Sequence, residues 1–484
     1  MNTLVRAALA GAGCALAGGC AVGPNFQASA PPAVDRYTRE PLPARTHAGV
    51  GASQQFALGA PVARWWTLFG SAKLDALEDE ALAANPDLAS ARAALRQARE
   101  AWLAQRGARF PTVTLAADAQ RAKNSVTIAP PLANNSEVYS LFTAGLNISY
   151  VFDVFGGVRR QVEAAAAQAD NQRFVAEGVY LTLTTNVANA AIQLASLDAQ
   201  MDDTSRIIAA ARTTLDITRA QQKLGEAGTA DVAVAETALE QAEQLAPPLQ
   251  KQIDQQRDLL AALIGRPPSA APADRFELAD LQLPPTLPVS IPSALVRQRP
   301  DVQAADANVH VASAQVGVAV AARLPSFSLT GGPGGASSDL ATLFANGNAL
   351  WSITGGVTAP VFDAGALRHK QKAAEAALDQ AKDQYRSAVL VALQNVADVL
   401  HAVLNDAQTL DHASAAEASA AKSLSLTRSQ YQHGQVGVLA VLAAEGAWRQ
   451  AEVTLSQARA ARYADTVALY QALGGGWRDS SRFE

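Results

Sequence analysis

Cysteine is almost absent. The 484 residues hold two, Cys14 and Cys20, so the body of the chain can carry neither a disulfide framework nor a cysteine zinc site. Neither sign of charge dominates: 39 Lys and Arg against 44 Asp and Glu leave a net charge of −5, which excludes a polyanion-binding surface and any expectation of a nucleic-acid partner. Aromatic residues are scarce at 6%. The six histidines are scattered, and His401 and His412, on nearly one helix face, lack the adjacent carboxylates of a metal site. The run Gly331-Gly332-Pro333-Gly334-Gly335 is not followed by Gly-Lys-Ser/Thr and reads as a flexible turn rather than a phosphate cradle. With no nucleophile elbow and no Cys-His pairing either, no catalytic residue, cofactor or metal is expected. What is plentiful is alanine, glutamine and small polar residues within a chain that is 49% hydrophobic, a composition for long, closely packed helices.

The N-terminus reads as an export signal, residues 1–19, with one positive charge at Arg6 and an apolar stretch from Ala7 to Ala17. Leu16-Ala17-Gly18-Gly19-Cys20 resembles a bacterial lipobox, which makes Cys20 the lipidated first residue of the mature protein. Ala21 in place of Asp favours, by that family's sorting rule, the outer over the inner membrane. Residues 20–62, with Pro24, Pro31, Pro32, Pro41, Pro43 and Pro61, read as an extended tether over the surface.

After the tether the chain repeats itself. Asn85-Pro86-Asp87-Leu88 returns as Arg299-Pro300-Asp301-Val302 and Phe110-Pro111 as Leu324-Pro325, displaced by 214; Phe152-Asp153 returns as Phe362-Asp363, displaced by 210. Leu224-Gly225, Gly228 and Glu236 return as His433-Gly434, Gly437 and Glu445, displaced by 209, and Ala262-Leu263 as Ala472-Leu473, displaced by 210. Anchors in one order with so little drift indicate a tandem duplication: a first repeat over 63–266, a linker over 267–284, a second repeat over 285–476 and a tail over 477–484.

Each repeat opens with a helical pattern, in the first from about Leu74 to Gly107 with a break at Asn85-Pro86. Period two then takes over. Val138, Phe142, Ala144, Leu146, Ile148 and Tyr150 alternate with Tyr139, Thr143, Asn147 and Ser149; in the second repeat Trp351, Ile353 and Val357 alternate with Ser352, Thr354 and Thr358. Each run is preceded by a weaker one (Val113, Leu115, Ala117; Phe327, Leu329) and a turn-rich gap at Pro130-Pro131 or Gly334-Gly335, giving one hairpin of long strands per repeat. Next comes a helix from Gly157 to Lys223, roughly 100 Å long at about 1.5 Å per residue. Its stripe Leu183, Val187, Ala190, Leu194, Leu197, Met201, with Val389 to Leu410 in the second copy, keeps the 3.5-residue period of a left-handed coiled coil. A glycine-bearing tip turns the chain into a single return helix, Thr229 to Ile264.

Strands with one apolar and one polar face suit an outer-membrane barrel, the apolar set being Phe142, Leu146, Ile148, Tyr150, Trp351, Ile353 and Val357. Four strands cannot close in lipid, so at least two copies must associate; three would give twelve strands. The rival readings are a periplasmic adaptor or a coiled-coil scaffold lipoprotein without a pore. An adaptor does not require two long-strand hairpins in tandem register with two coiled coils, and a scaffold lacks period-two segments.

Nearly the whole mature chain resembles the outer membrane factors of tripartite efflux and type I secretion, in particular the lipoprotein (NodT-like) branch that works with resistance-nodulation-division pumps. The resemblance rests on Cys20-Ala21-Val22-Gly23-Pro24-Asn25-Phe26, on Trp65-Trp66, Phe69, Leu74, Leu77, Leu82 and Asn85-Pro86-Asp87-Leu88, and on the duplicated Phe-Asp. It implies a mixed α and β membrane protein: a homotrimer, a shared 12-stranded transmembrane β-barrel, a tube of duplicated helical hairpins, and a periplasmic tip docking an adaptor protein bound to an inner-membrane efflux pump. It also implies a tip and gate at Gly225, Gly228, Asp231, Tyr431, Gly434, Gln435, Gly437, Ala440 and Ala443. In the family an Asp and a Tyr at the positions of Asp231 and Tyr431 bond to latch the tube shut. An Arg that reinforces the latch in some members corresponds to Val436, and ring aspartates correspond to Ala440 and Ala443, so a looser or apolar gate is expected here. Asp231 alone reads equally well as a helix N-terminal cap.

Overall fold

Asn85 and Arg299 hold corresponding places in the two halves of the chain. A computed structural model of the chain describes residues 21–30, 33–47, 53–125, 127, 137–272 and 275–476. Helix α1, Ala72–Ala84, stops at Asn85, whose backbone is extended (φ −65°, ψ 124°) because Pro86 follows, and α2, Pro86–Gly107, begins at that proline. Asn85 Oδ1 accepts from the Leu88 N–H at 3.0 Å while its Nδ2 donates to the Leu263 carbonyl at 2.9 Å. In the second copy Arg299, at the same position, donates to the Ala472 carbonyl at 3.0 Å. Each kink is thus tied to the end of its return helix. Gly265 and Gly474 close those ends with φ of 78° and 91°, and a Cβ on either would lie within 2.5 Å of the carbonyl of Ala84 or Gln298.

The chain divides into two compact units. The first gathers the residues to Ser29, Leu95–Asn171 and Ala305–Tyr385. Its strands β2 (Thr112–Lys123), β3 (Val138–Phe152), β5 (Ser326–Ser337) and β6 (Ala349–Thr358) form one antiparallel sheet in the order β2-β3-β5-β6. One difference from the sequence reading appears here. Gly331–Gly335 is not a turn but lies within β5, paired on both sides. The reason is close approach: a Cβ on Gly332 would lie 1.9 Å from the Leu146 carbonyl oxygen, so only glycine admits β3 at that distance. The ladder to β3 lapses beside Pro333, between Gly145↔Gly334 and Ile148↔Gly331, as a residue without an N–H requires. Gly332→Ala is therefore expected to destabilise the sheet by at least about 1–3 kcal/mol, read as a lower yield of assembled protein; a wild-type yield would refute it. The reading of Pro130-Pro131 as a turn lies outside the described residues.

The second unit holds Ala30–Ala94, Gln172–Ala304 and the rest of the chain from Arg386. The long helices α3, Gly157–Lys223, and α8, Ala366–Gln432, have 67 residues each, and their stripes are buried at Leu183, Val187, Ala190, Leu194 and Leu197 and at Val389, Val396, Leu400, Val403, Ala407 and Leu410. The expected single return helix of the first copy is two, α4 (Thr229–Glu243) and α5 (Ala246–Leu263), because Pro247 and Pro248 cannot donate to the preceding turn. Its counterpart α9, Val438–Ala472, has no proline and is continuous. The tether is more than a surface run. Its Gln55–Leu58 (β1) pairs in parallel with Thr286–Val289 (β4), and buried Gln54 donates to the Pro284 carbonyl at 3.1 Å and accepts from Arg462 at 2.6 Å. Two short helices, α6 (Pro292–Gln298) and α7 (Pro300–Ala321), open the second repeat. Trp65 and Trp66 are fully buried, Trp65 stacked on Tyr470 at 5.4 Å and Trp66 against Tyr180 at 6.4 Å.

Candidate functional site

The register of the sheet decides which side chains share a face. Residues directly opposite across antiparallel strands point the same way, and Val113↔Ile148, Leu115↔Leu146, Ala119↔Phe142, Ile148↔Gly331↔Ile353, Tyr150↔Leu329 and Phe327↔Val357 are such partners. Phe142, Leu146, Ile148, Tyr150, Trp351, Ile353 and Val357 therefore lie on one face, joined by Val113, Leu115, Phe327 and Leu329. Ser149↔Thr330↔Thr354 and Thr114↔Asn147 lie on the other. The apolar face is open: Trp351 is 76% and Ile353 73% exposed. Among the described residues β2 and β6 each pair along only one edge. At the strand-to-helix junctions Asp153 accepts from the N–H groups of Val158 and Arg159 at 2.9 and 2.8 Å, and Asp363 from those of Gly365 and Leu367 at 2.9 and 2.8 Å. The duplicated Phe-Asp is thus a pair of helix caps.

In the second unit each long helix ends in the same hydrogen-bonded device. Gly225 donates to Gln222 and Glu226 to Gln221, at 3.0 and 2.9 Å; Gly434 donates to Tyr431 and Gln435 to Gln430, both at 2.9 Å. These are Schellman caps, and they demand the left-handed φ of 76° at Gly225 and 70° at Gly434. Gly228 and Gly437 have extended backbones and stand as N-caps of α4 and α9. Asp231 takes the capping role, its Oδ2 accepting from the Gly228 N–H at 2.8 Å. Its counterpart Ala440 supplies only a backbone N–H to the Gly437 carbonyl, at 3.1 Å. No hydrogen bond joins Asp231 to Tyr431 among the described residues: the Tyr431 hydroxyl instead donates to Gln221 Oε1 at 2.6 Å. That contact ties the second copy to the first.

Ala443 lines a groove of about 790 Å³ between α4 and α9, floored by small residues including Ala233, Ala238 and Gly446. Arg219 bonds Glu236 at 2.7 Å, and Arg428, 209 residues on, bonds Glu445 at 2.9 Å, so each tip carries the same ion pair. Cys20 lies outside the described residues.

Two carboxyls further along the helices titrate far from their ordinary range. Burial, then the charge of Asp406, raises Asp465 from 3.8 to about 7; burial, then Asp203, raises Glu452 from 4.5 to about 7. Both bind protons more tightly folded than unfolded, so the stability they contribute is full below the unfolded values and is lost as pH rises through about 7. Thermal unfolding is expected at a lower temperature at pH 8 than at pH 5, and Asp465→Asn should flatten that slope. An unchanged slope would remove Asp465 from the account.

The family model described as "Outer membrane efflux protein" matches residues 77–266 and again 291–475. This chain belongs to the outer membrane efflux protein family. It is an outer-membrane efflux channel, a class to which the adaptor and scaffold alternatives do not belong. Among curated relatives, the pyoverdine export outer membrane protein OpmQ of Pseudomonas putida is 30% identical over 429 residues, covering 88% of this chain and 90% of its own. The cation efflux system protein CusC of Escherichia coli is 27% identical over 467 residues, covering 95% and 96%. Among solved structures, the outer-membrane channel OprN superposes with a TM-score of 0.84 at 26% identity, over 95% of this chain and all of that one. Two features of this efflux protein escaped the sequence reading. Gln221 is an unremarked glutamine in a glutamine-rich stretch. The tip ion pairs were half visible, since Glu236 and Glu445 stand 209 apart, and a search for a basic residue at the same offset finds Arg219 and Arg428.

Proposed function

We propose that this efflux protein works as a homotrimer, three sheets closing into one 12-stranded barrel through the outer membrane and the helical hairpins closing into a tube in the periplasm. It acts as a passive exit duct for drugs or other small molecules handed over by an inner-membrane pump through a periplasmic adaptor. The observation that carries this reading is the sheet: two open edges and a continuous apolar face cannot be left in lipid or in water by a single chain, and pairing β6 of one protomer with β2 of the next satisfies both. Exposed apolar residues on α8, such as Leu390 and Leu426, support close packing of further helices against it. The relatives' names range from pyoverdine to toluene to cations, which fits a conduit whose pump selects the cargo. The reading is completed by lipidation at Cys20, by adaptor helices in the groove beside Ala443, and by Tyr431 with Gln221 as the resting tie of the tip.

Single particles extracted in mild detergent should show a three-fold cylinder with a membrane-width collar; compact or unsymmetric particles would overturn the assembly. Tyr431→Phe removes one hydrogen bond, about 1 kcal/mol or roughly a fivefold shift toward the open tip per protomer. It should raise passive entry of large antibiotics into cells, and unchanged permeability would take Tyr431 out of the gate.

A further inference from the structure

The N-terminal residues do not run loosely over the first unit; a buried arginine holds them. Arg160, 3% exposed, donates from Nε to the Val22 carbonyl at 3.1 Å and from Nη2 to the Gly23 carbonyl at 3.4 Å and Asn25 Oδ1 at 2.7 Å. Its Nη1 bonds Glu163 Oε2 at 2.8 Å, Glu163 Oε1 meets His310 Nε2 at 3.0 Å, and the His310 ring stacks on Phe26 at 4.2 Å. Gly23 makes the fit possible, for a Cβ there would lie 2.5 Å from the Gly317 Cα. One step earlier, the Val22 N–H donates to the Phe155 carbonyl at 3.1 Å, and Ala21 lies so close to Gly156 that a Cβ on that glycine would meet it at 2.7 Å. Ala21 is therefore fixed in place, and Cys20 is the residue that precedes it in the chain.

The residues on either side of Gly156, Phe155 and Gly157, line a cavity of about 430 Å³. The rest of its wall is chiefly apolar, with Val158, Val318, Leu324 and Leu367 among its members. An open apolar groove beside the point where a lipid-bearing cysteine is delivered matches one chemistry, a saturated hydrocarbon chain. We propose that this groove seats an acyl chain of lipidated Cys20, so that the lipid packs against its own protein at the strand-to-helix junction. The proposal deepens the lipidation reading above and rests on it. It also gives the buried Arg160 network a purpose: the polar clip sets the depth at which the chain enters the groove.

Cells producing the full-length protein, fed a diazirine-bearing fatty acid, incorporate the photoreactive chain at the lipidated cysteine. After irradiation, peptide mapping should find cross-links from the Cys20 lipid to residues 151–161, 318–326 and 358–367. Ala322→Trp, at an exposed position lining the groove, should lose those cross-links while the mass of the acylated N-terminal peptide stays unchanged. An acylated Cys20 that cross-links only to phospholipid would overturn the groove and leave lipidation standing. A Cys20 peptide without acyl groups would overturn the reading on which the groove rests.

Discussion

Trp351→Arg is expected to abolish assembly of the channel in the outer membrane, while Thr354→Arg, three residues along the same strand, leaves it intact. The two positions lie on opposite faces of β6, since Trp351 shares its face with Ile353 and Val357 whereas Thr354 aligns with Thr330 and Ser149. Trp351 is 76% exposed on a face that in the proposed trimer meets hydrocarbon. A guanidinium near the bilayer midplane costs about 2–4 kcal/mol, and one facing a water-filled interior costs little. Three subunits each carry that penalty. Assembly is measured as the fraction of heat-modifiable oligomer in purified outer membranes, and equal behaviour of the two variants would remove the barrel from the account.

The second large effect is expected at Arg160. Arg160→Ala removes a buried guanidinium and leaves the Val22 and Gly23 carbonyls, Asn25 Oδ1 and one Glu163 oxygen, all partly open to solvent, without their donor. Losing hydrogen bonds made by a charged group costs about 1.5–3 kcal/mol. Arg160→Lys should recover only part of this, because a point ammonium cannot span acceptors that the planar guanidinium reaches from three nitrogens. The measurements are thermal unfolding and protease cleavage within Ala21–Ala30, which should accelerate in Arg160→Ala; a wild-type cleavage rate would show that the clip does not hold the N-terminus.

The long elements were legible because their signals are periodic and local. The stripe from Leu183 to Leu197 and the alternation from Val138 to Tyr150 each repeat many times within one element, so a single exception does not obscure them. The helix breaks were legible where proline sits at the boundary, as at Asn85-Pro86. Pro247 and Pro248 carry the same message, which the expectation of a single return helix passed over; the second copy has no proline there and α9 is continuous. Gly331–Gly335 misled because glycine-rich runs ordinarily turn, whereas here the missing side chains make room for neighbouring backbone, Gly332 and Gly334 for β3, Gly331 for β6 and Gly335 for the Leu343 carbonyl, none of which is written in β5 itself. At the tips, glycine and Asp231 could be placed from spacing alone. The partner of Tyr431 could not, since Gln221 lies 210 residues away and nothing local distinguishes it from Gln222 beside it. Arg160 was hidden for a similar reason: one of two adjacent arginines in the first turn of a helix reads as solvated until residues 22–25 are laid across it.

The open edges of the sheet also bear on inheritance. In the proposed trimer each protomer's β6 is completed by a neighbour's β2, so a chain damaged at either edge does not fail alone but spoils the seams it shares with sound subunits. Trp351→Arg alters the apolar face of β6 and leaves its pairing edge intact, so a second gene copy encoding it should enter mixed trimers and act as a dominant allele, lowering drug tolerance in a cell that still makes the intact protein. A chain truncated before β2 has no edge to offer and should be recessive.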